Sequence, residues 1–213
     1  MATRTIVKVC GLTRHEDAAW ALTCGADWLG FVVRGESPRR CEPEVAGAIM
    51  AELGRGVGVA VMVAPTPEEA LEDARRAGAS RVQLHRVSPE LWPSDFPLPC
   101  TFAMGVTPEG GIVGTEPASN HLLLLDTSSG RMAGGTGLTW PWAIARDLVA
   151  RRPVMLAGGL SGDNVTEALR TLHPFGVDAS SSLESAPGRK DPERVRRCVE
   201  GVRAFDAAPE ESS

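Results

Sequence analysis

Lys8 and Cys10 stand two residues apart, at and just beyond the end of the apolar run Thr5–Val9. In an extended strand that spacing points both side chains to one face. A buried ammonium must find partners. Its charge favours the thiolate of a neighbouring cysteine, the form that can act as a base. Spacing alone admits a second reading equally well, in which Cys10 is an inert core thiol. Asp126 is less ambiguous. It follows four consecutive leucines, where a lone carboxylate is costly to bury unless paired or functional. Cys10 and Asp126 are therefore the candidate catalytic base and acid.

Other candidates end other apolar runs. Arg39 lies in Ser37-Pro38-Arg39, and one member of the Arg39-Arg40 pair is expected to be merely solvated. His85 closes Gln83-Leu84-His85; it can fill space, bind substrate or hold a carboxylate. Asp178 lies near the end of Phe175–Ala179 and joins Lys8, Arg39 and His85 as a substrate-contact candidate. Two turns of small residues, Gly158-Gly159 and Ser180-Ser181-Ser182, suggest a phosphate cradle. Glycine lets backbone N–H groups approach an anion without a Cβ in the way. A helix predicted to begin near Asp163 would add its N-terminus. Either turn alone reads as a plain tight turn; the pair together favours phosphate. His15, His121 and His173 show no ligand spacing, so no metal site is predicted.

These residues must be positioned by the elements around them. Short apolar runs at Thr5–Val9, Asp27–Val33, Gly58–Val63, Arg81–Leu84, Thr101–Val106, Leu122–Leu125, Pro153–Leu156 and Phe175–Ala179 read as eight strands. Helical spacing is seen over Arg14–Cys24, Glu42–Leu53, Pro67–Ala77, Trp140–Ala150, Asp163–Leu172 and Pro192–Phe205, with a weak helix around Pro89–Trp92. Thr107–Asn120 is rich in Gly and Pro and has no helical period. Strands buried on both faces give continuous apolar runs, and helices supply the crossovers. The α/β pattern predicts a single-domain (β/α)8 TIM barrel over residues 1–205, with helix 5 short or absent and 206–213 a disordered tail. An open doubly wound sheet shares the alternation, but no GxGxxG follows the first strand. In a barrel the candidate residues converge on the C-terminal ends of the strands, and phosphate commonly binds the loops after strands seven and eight.

Composition sets the outer bounds. The 213 residues carry 22 Lys+Arg and 27 Asp+Glu, a net charge of −5. That excludes the basic surplus of a generic nucleic-acid binder. No apolar run reaches the roughly 18 residues of a bilayer span, and the N-terminal residues show no signal-peptide stretch. A cytoplasmic protein without membrane or nucleic-acid partners is expected. Five cysteines without a CxxC pair support neither a disulfide framework nor structural zinc. No long exposed apolar helix demands a partner, so a monomer is the default. Among the 22 basic residues only Lys8 and Lys190 are lysine. That bias hints that a compact ammonium is needed where lysine survives.

Several motifs, in order, resemble the phosphoribosylanthranilate isomerase family of tryptophan biosynthesis. They are Lys8-Val9-Cys10-Gly11-Leu12-Thr13, Ser37-Pro38-Arg39, Val82-Gln83-Leu84-His85 and Leu124-Leu125-Asp126 with Gly134-Gly135-Thr136-Gly137. Further on come Leu156-Ala157-Gly158-Gly159-Leu160, Asp163-Asn164-Val165 and Gly176-Val177-Asp178 through Pro187-Gly188-Arg189-Lys190-Asp191. The match runs from about residue 6 to 205. The resemblance implies a (β/α)8 barrel that performs an Amadori rearrangement on a phosphorylated aminosugar, with no metal or organic cofactor. It implies Cys10 as general base, Asp126 as general acid, and Arg39 at the anthranilate carboxylate. Gly159 and Ser180–Ser182 would lie at the phosphate.

The chain departs from that pattern at four points. Ser182 and Arg86 stand where the family has glycine, Val61-Met62-Val63-Ala64 replaces a GVFVN-like sequence, and the fifth unit lacks its helix. Two alternatives follow: an isomerase for another N-glycoside phosphate, or a non-catalytic barrel that only binds a phosphorylated ligand. Retention of both Cys10 and Asp126 argues against the second.

Overall fold

The computed structural model describes residues 4–127 and 140–208. Eight strands are laid down in order: β1 (Ile6–Val9), β2 (Trp28–Arg34), β3 (Val57–Val63), β4 (Arg81–His85), β5 (Cys100–Val106), β6 (Leu122–Thr127), β7 (Val154–Leu156) and β8 (Gly176–Ala179). Each pairs in parallel with the next, and β8 pairs in parallel with β1, so the sheet closes into a barrel. The predicted (β/α)8 TIM barrel is the observed fold.

Helices α1 (His15–Cys24), α2 (Pro43–Leu53), α3 (Pro67–Arg76), α4 (Arg146–Arg151), α5 (Val165–Leu172) and α6 (Pro192–Ala207) make the crossovers. Their ends follow local chemistry. Thr66 and Glu69 close a reciprocal capping box on α3, and the Asp191 side chain accepts N–H bonds from Glu193 and Arg194 at the start of α6. Helix α6 runs two residues past its predicted end. There Asp206 accepts bonds from the Thr5 N–H and hydroxyl and from Arg203, so the predicted tail gives up its first residues to the helix.

Two crossovers are not α-helical. The weak helix predicted after β4 is a 3-10 turn, Pro89–Leu91. After β5 the chain turns at Thr107–Gly111, and Ile112–Val113 pairs antiparallel with β5. No helix follows, as the lack of period predicted. That connection is anchored rather than loose. The buried Arg152 donates to Glu116 and to the carbonyls of Pro117, Ala118 and His121.

Strand parity partitions the core. Leu123 and Leu125 pack outward under the helices, whereas Leu122 and Leu124 pack inside the barrel with Trp28, Val59, Val61 and Met155. This explains the four-leucine run: each face of β6 is buried in a different core. Parity also sends alternate polar residues inward at the strand ends. Val7 and Val9 join the outer core, as do Val82, Leu84 and Val177. Their neighbours Lys8, Cys10, Gln83, His85 and Asp178 therefore face the interior.

Candidate active site

A cleft open to solvent lies at the C-terminal ends of the strands. Cys10, Arg39, His85, Asp126, Gly158, Gly159, Asp178 and Ser180–Ser182 all line it. Lys8 lies beneath, fully buried, with Nζ 2.7 Å from Asp178 Oδ2. Strand register makes this pair, because Lys8 of β1 sits opposite Asp178 of β8. All the predicted site residues thus gather in one place.

The state of Cys10 differs from expectation. Lys8 does pull the thiol toward ionisation, with Lys190 assisting. Burial outweighs both, and the nearby Asp178 adds to it, so the Cys10 pKa is raised rather than lowered. Burial also opposes charge on Lys8, but Asp178 and Cys10 together hold its pKa above the ordinary lysine value. Cys10 in the free protein is a thiol that must be called on to ionise, not a standing thiolate.

Asp126 behaves as an acid should. Burial and the neighbouring Asp178 carboxylate raise its pKa to about 6. The Thr127 N–H, donating to Oδ1 at 2.8 Å, pulls the other way, as does Lys8. A carboxyl group with such a pKa holds a transferable proton near neutrality. Asp178 offers a second feature. Its Oδ2 is taken by Lys8, while Oδ1 is buried and has no hydrogen-bond partner among the described residues. A ligand hydroxyl would satisfy it.

His85 is held neutral. Burial, then Lys8 and Arg86, lower its pKa to about 4. Gln83 Nε2 lies 3.0 Å from His85 Nε2, so the buried amide orients the ring. Of the arginine pair, Arg40 is the solvated one, against Glu42 at the surface. Arg39 is 13% exposed in its side chain and grips Glu184 through Nε and Nη2 at 2.9–3.0 Å.

The two small-residue turns meet as predicted. Gly158 and Gly159 have φ of 89° and 66°, which suit glycine, and a Cβ on Gly158 would overlap the Thr127 hydroxyl. Ser180 Oγ donates to the Cys10 carbonyl, and Ser182 Oγ donates to the Leu160 carbonyl, stapling the loop after β8 to the loop after β7. Ser182 does not have positive φ, so its position does not demand glycine. Arg86 does, at 54°, and it lies outside the cleft. Helix α5 begins at Val165 rather than Asp163. The N–H groups of Asn164 and Val165 are spent on the Ser161 carbonyl, so these two do not serve the cradle. The Gly134–Gly137 motif lies outside the described residues.

Gln83, Gly30 and Glu184 were not singled out from sequence, whereas Lys190 was, by the scarcity of lysine. Gln83 was visible through parity with His85. Gly30 was not: on β2 it faces Cys10 and Lys8, and a Cβ there would come within 2.8 Å of Cys10 Sγ. Glu184 and Lys190 come from the hairpin after β8, whose pairing no local spacing reveals. Among the described residues, no three His, Cys, Asp or Glu side chains gather as a metal would need.

A half-buried carboxyl of raised pKa and a thiol lining one cleft at the top of a parallel barrel define an enzyme of the acid/base class. The family model for N-(5'phosphoribosyl)anthranilate (PRA) isomerase matches residues 7–201. The N-(5'-phosphoribosyl)anthranilate isomerase of Geobacter sulfurreducens is 39% identical over 203 residues, covering 93% of this chain and 98% of that protein. The crystal structure of phosphoribosyl anthranilate isomerase from Thermus thermophilus superposes with a TM-score of 0.82 at 35% identity, covering 94% of this chain and all of the other. A structure of such an isomerase in complex with reduced 1-(o-carboxyphenylamino)-1-deoxyribulose 5-phosphate superposes with a TM-score of 0.77 at 29% identity, covering 94% and 99%. The chain belongs to the phosphoribosylanthranilate isomerase family.

Proposed function

We propose that this chain converts N-(5-phosphoribosyl)anthranilate into 1-(2-carboxyphenylamino)-1-deoxyribulose 5-phosphate, an Amadori rearrangement in tryptophan biosynthesis. The observation that carries the residue assignment is that Asp126, with its pKa near 6, and Cys10 line one cleft. Asp126 gives a proton to the ring oxygen as the C1–O bond breaks, leaving the open-chain Schiff base. The iminium acidifies the hydrogen on C2, and Cys10, as thiolate, removes it to form an enolamine. A proton gained at C1 and one lost from the C2 hydroxyl complete the ketone. Apart from the C1–O cleavage, which protonation drives, every step is a proton transfer. Well-placed acid and base groups contribute roughly 10²–10⁴-fold each.

The rest comes from holding the substrate at both ends. Gly158, Gly159 and Ser180–Ser182 would cradle the phosphate, Arg39 would take the aromatic carboxylate, and the ribose would lie between them. Asp178 Oδ1 would accept from a ribose hydroxyl, with Lys8 holding the carboxylate in place, and the neutral His85 would add a hydrogen bond. Ser182 turns its hydroxyl to Leu160 and Arg86 lies outside the cleft, so neither departure from the family pattern argues for another glycoside. A monomer remains the expected state. No helix among the described residues is long and apolar enough to cross a membrane, and we expect the enzyme in the cytoplasm.

A fluorescence assay on phosphoribosylanthranilate generated in situ tests the reading, with wild type and Cys10→Ala side by side. Turnover in wild type and its loss in the folded variant are expected. A folded wild type without turnover would sink the assignment.

A further inference from the structure

Arg39 does not stand alone in the cleft. Its Nε and Nη2 form a fork on the Glu184 carboxylate, and Nη1 makes none of these bonds. Glu184 is itself buried, at 4% side-chain exposure, and accepts a second cation: Lys190 Nζ at 2.8 Å, itself 1% exposed. Lys190 Nζ also donates to the Ser180 carbonyl, and Ser180 Oγ donates to the Cys10 carbonyl. One chain of contacts therefore runs from Arg39 through Glu184 and Lys190 to the cradle loop and the backbone of Cys10.

The sharing of charge in this cluster is informative. Arg39 and Lys190 share the Glu184 carboxylate in a largely desolvated place, where buried Asp17 accepts from the Lys190 backbone N–H, so neither cation has a side-chain carboxylate partner to itself. Buried charge is costly unless it is partnered. A ligand carboxylate on the cleft side of Arg39 would supply a further partner. A guanidinium fixed along one edge also offers its remaining N–H groups without paying again for side-chain order.

We infer that Glu184, clamped by Lys190, is a positioning residue that holds Arg39 pre-oriented to recognise the substrate's aromatic carboxylate. The inference rests on the reading of Arg39 as the group that takes that carboxylate. It assigns Glu184 no contact with substrate. It predicts that discrimination for a carboxylated aryl ring depends on a residue that does not line the cleft.

The test compares two glycosides, N-(5-phosphoribosyl)anthranilate and N-(5-phosphoribosyl)aniline, which lacks the carboxylate. The readout is the ratio of their kcat/KM values in wild type, Glu184→Gln and Arg39→Ala. Inhibition by inorganic phosphate reports on the cradle in each variant. Wild type should prefer the carboxylated substrate, and Glu184→Gln should cut that preference about 10- to 100-fold, the scale of charge-assisted hydrogen bonds. A general loss of structure would slow both glycosides alike and leave their ratio at the wild-type value; that result overturns the inference. So does a Glu184→Gln ratio equal to wild type while Arg39→Ala loses the preference, an outcome that spares the reading of Arg39. A wild type with no preference, matched by Arg39→Ala, overturns the reading of Arg39 itself. If Glu184→Gln does not fold, Glu184→Asp keeps the charge but shortens the reach, and the same fall in ratio is expected.

Discussion

Lys8 Nζ lies 2.7 Å from Asp178 Oδ2 inside the barrel, and the two residues are register partners on adjacent strands. The pair is net neutral, yet it shapes both of the groups proposed as acid and base. Asp178 pushes the pKa of Asp126 up, and Lys8 pulls that of Cys10 down. Removing one partner leaves a buried charge uncompensated. Lys8→Met should therefore cost about 3–5 kcal/mol of stability by chemical denaturation. It should also move the pH midpoint for alkylation of Cys10 upward, since a cation that favours the thiolate is gone. An unchanged midpoint would remove Lys8 from the electrostatics of the base.

The pH profile of kcat/KM follows from the two raised pKa values. The active form needs Asp126 protonated and Cys10 ionised, a minority state. Activity should rise with pH up to about 6 and stay level until the raised pKa of the thiol. On that plateau the growing thiolate fraction cancels the shrinking acid fraction. Asp126→Asn should remove the plateau, leaving residual activity that climbs with pH through 6–8. Cys10→Ser should leave residual activity that falls over the same range. Each variant should lose about 10²–10⁴-fold at neutral pH. A plateau that survives in either would refute that residue's role.

Asp126 also makes stability depend on pH. Its folded pKa of about 6 lies above the ordinary aspartate value of 3.8, so the folded state binds the proton more tightly. The contribution is full below the unfolded pKa and is lost as pH rises through about 6. It amounts to about 3 kcal/mol across the window. Denaturation of Asp126→Asn beside wild type, from pH 4 to 7, should show the variant gaining on wild type as pH rises. Parallel curves would mean the carboxylate is better solvated than its burial implies.

How far the sequence could be read depends on what sets each feature. Parity and apolar runs determined the barrel, because burial on two faces leaves a one-dimensional trace: Leu122–Leu125 has it, and so does the lack of period in Thr107–Asn120. Asp126 was legible for the same reason, as a charge breaking an apolar run. The direction of the Cys10 shift was not. It is set by desolvation against the pull of Lys8, and spacing carries only the second. Glu184 was hidden because its partner Arg39 lies 145 positions away. The start of α5 reads two residues early in the sequence because 161–164 form a turn in which the Asn164 N–H bonds the Ser161 carbonyl.

Gly30 provides a steric test of how tightly the base is held. An added Cβ would lie 2.8 Å from Cys10 Sγ and 2.9 Å from Lys8 Cε. Cys10 directly follows β1 with its N–H bonded to the Ala179 carbonyl, and Lys8 is pinned by Asp178, so neither yields freely. Gly30→Ala should cost about 1–3 kcal/mol in stability by overpacking. Displacing the thiol by even part of an ångström should lower kcat by about 10–100-fold, with phosphate inhibition little changed. Wild-type kcat in a folded Gly30→Ala would show that the thiol's placement is not critical.

Two departures from the family pattern replace glycine, and their geometry assigns them opposite signs. Arg86 has φ of 54°, a region costing an L-residue about 1–2 kcal/mol. Arg86→Gly relieves that strain but adds about 0.5–1 kcal/mol of unfolded-state entropy, so a small net gain is expected. Ser182 is not in that region, and its hydroxyl ties the cradle loops together through the Leu160 carbonyl. Ser182→Gly relieves nothing and loses a hydrogen bond of about 1 kcal/mol in addition to the glycine entropy. It should lower stability and weaken inhibition by inorganic phosphate as the loops separate. Denaturation midpoints measured together should move apart, Arg86→Gly upward and Ser182→Gly downward. A shift of both in the same direction would mean that backbone conformation is not what separates the two sites.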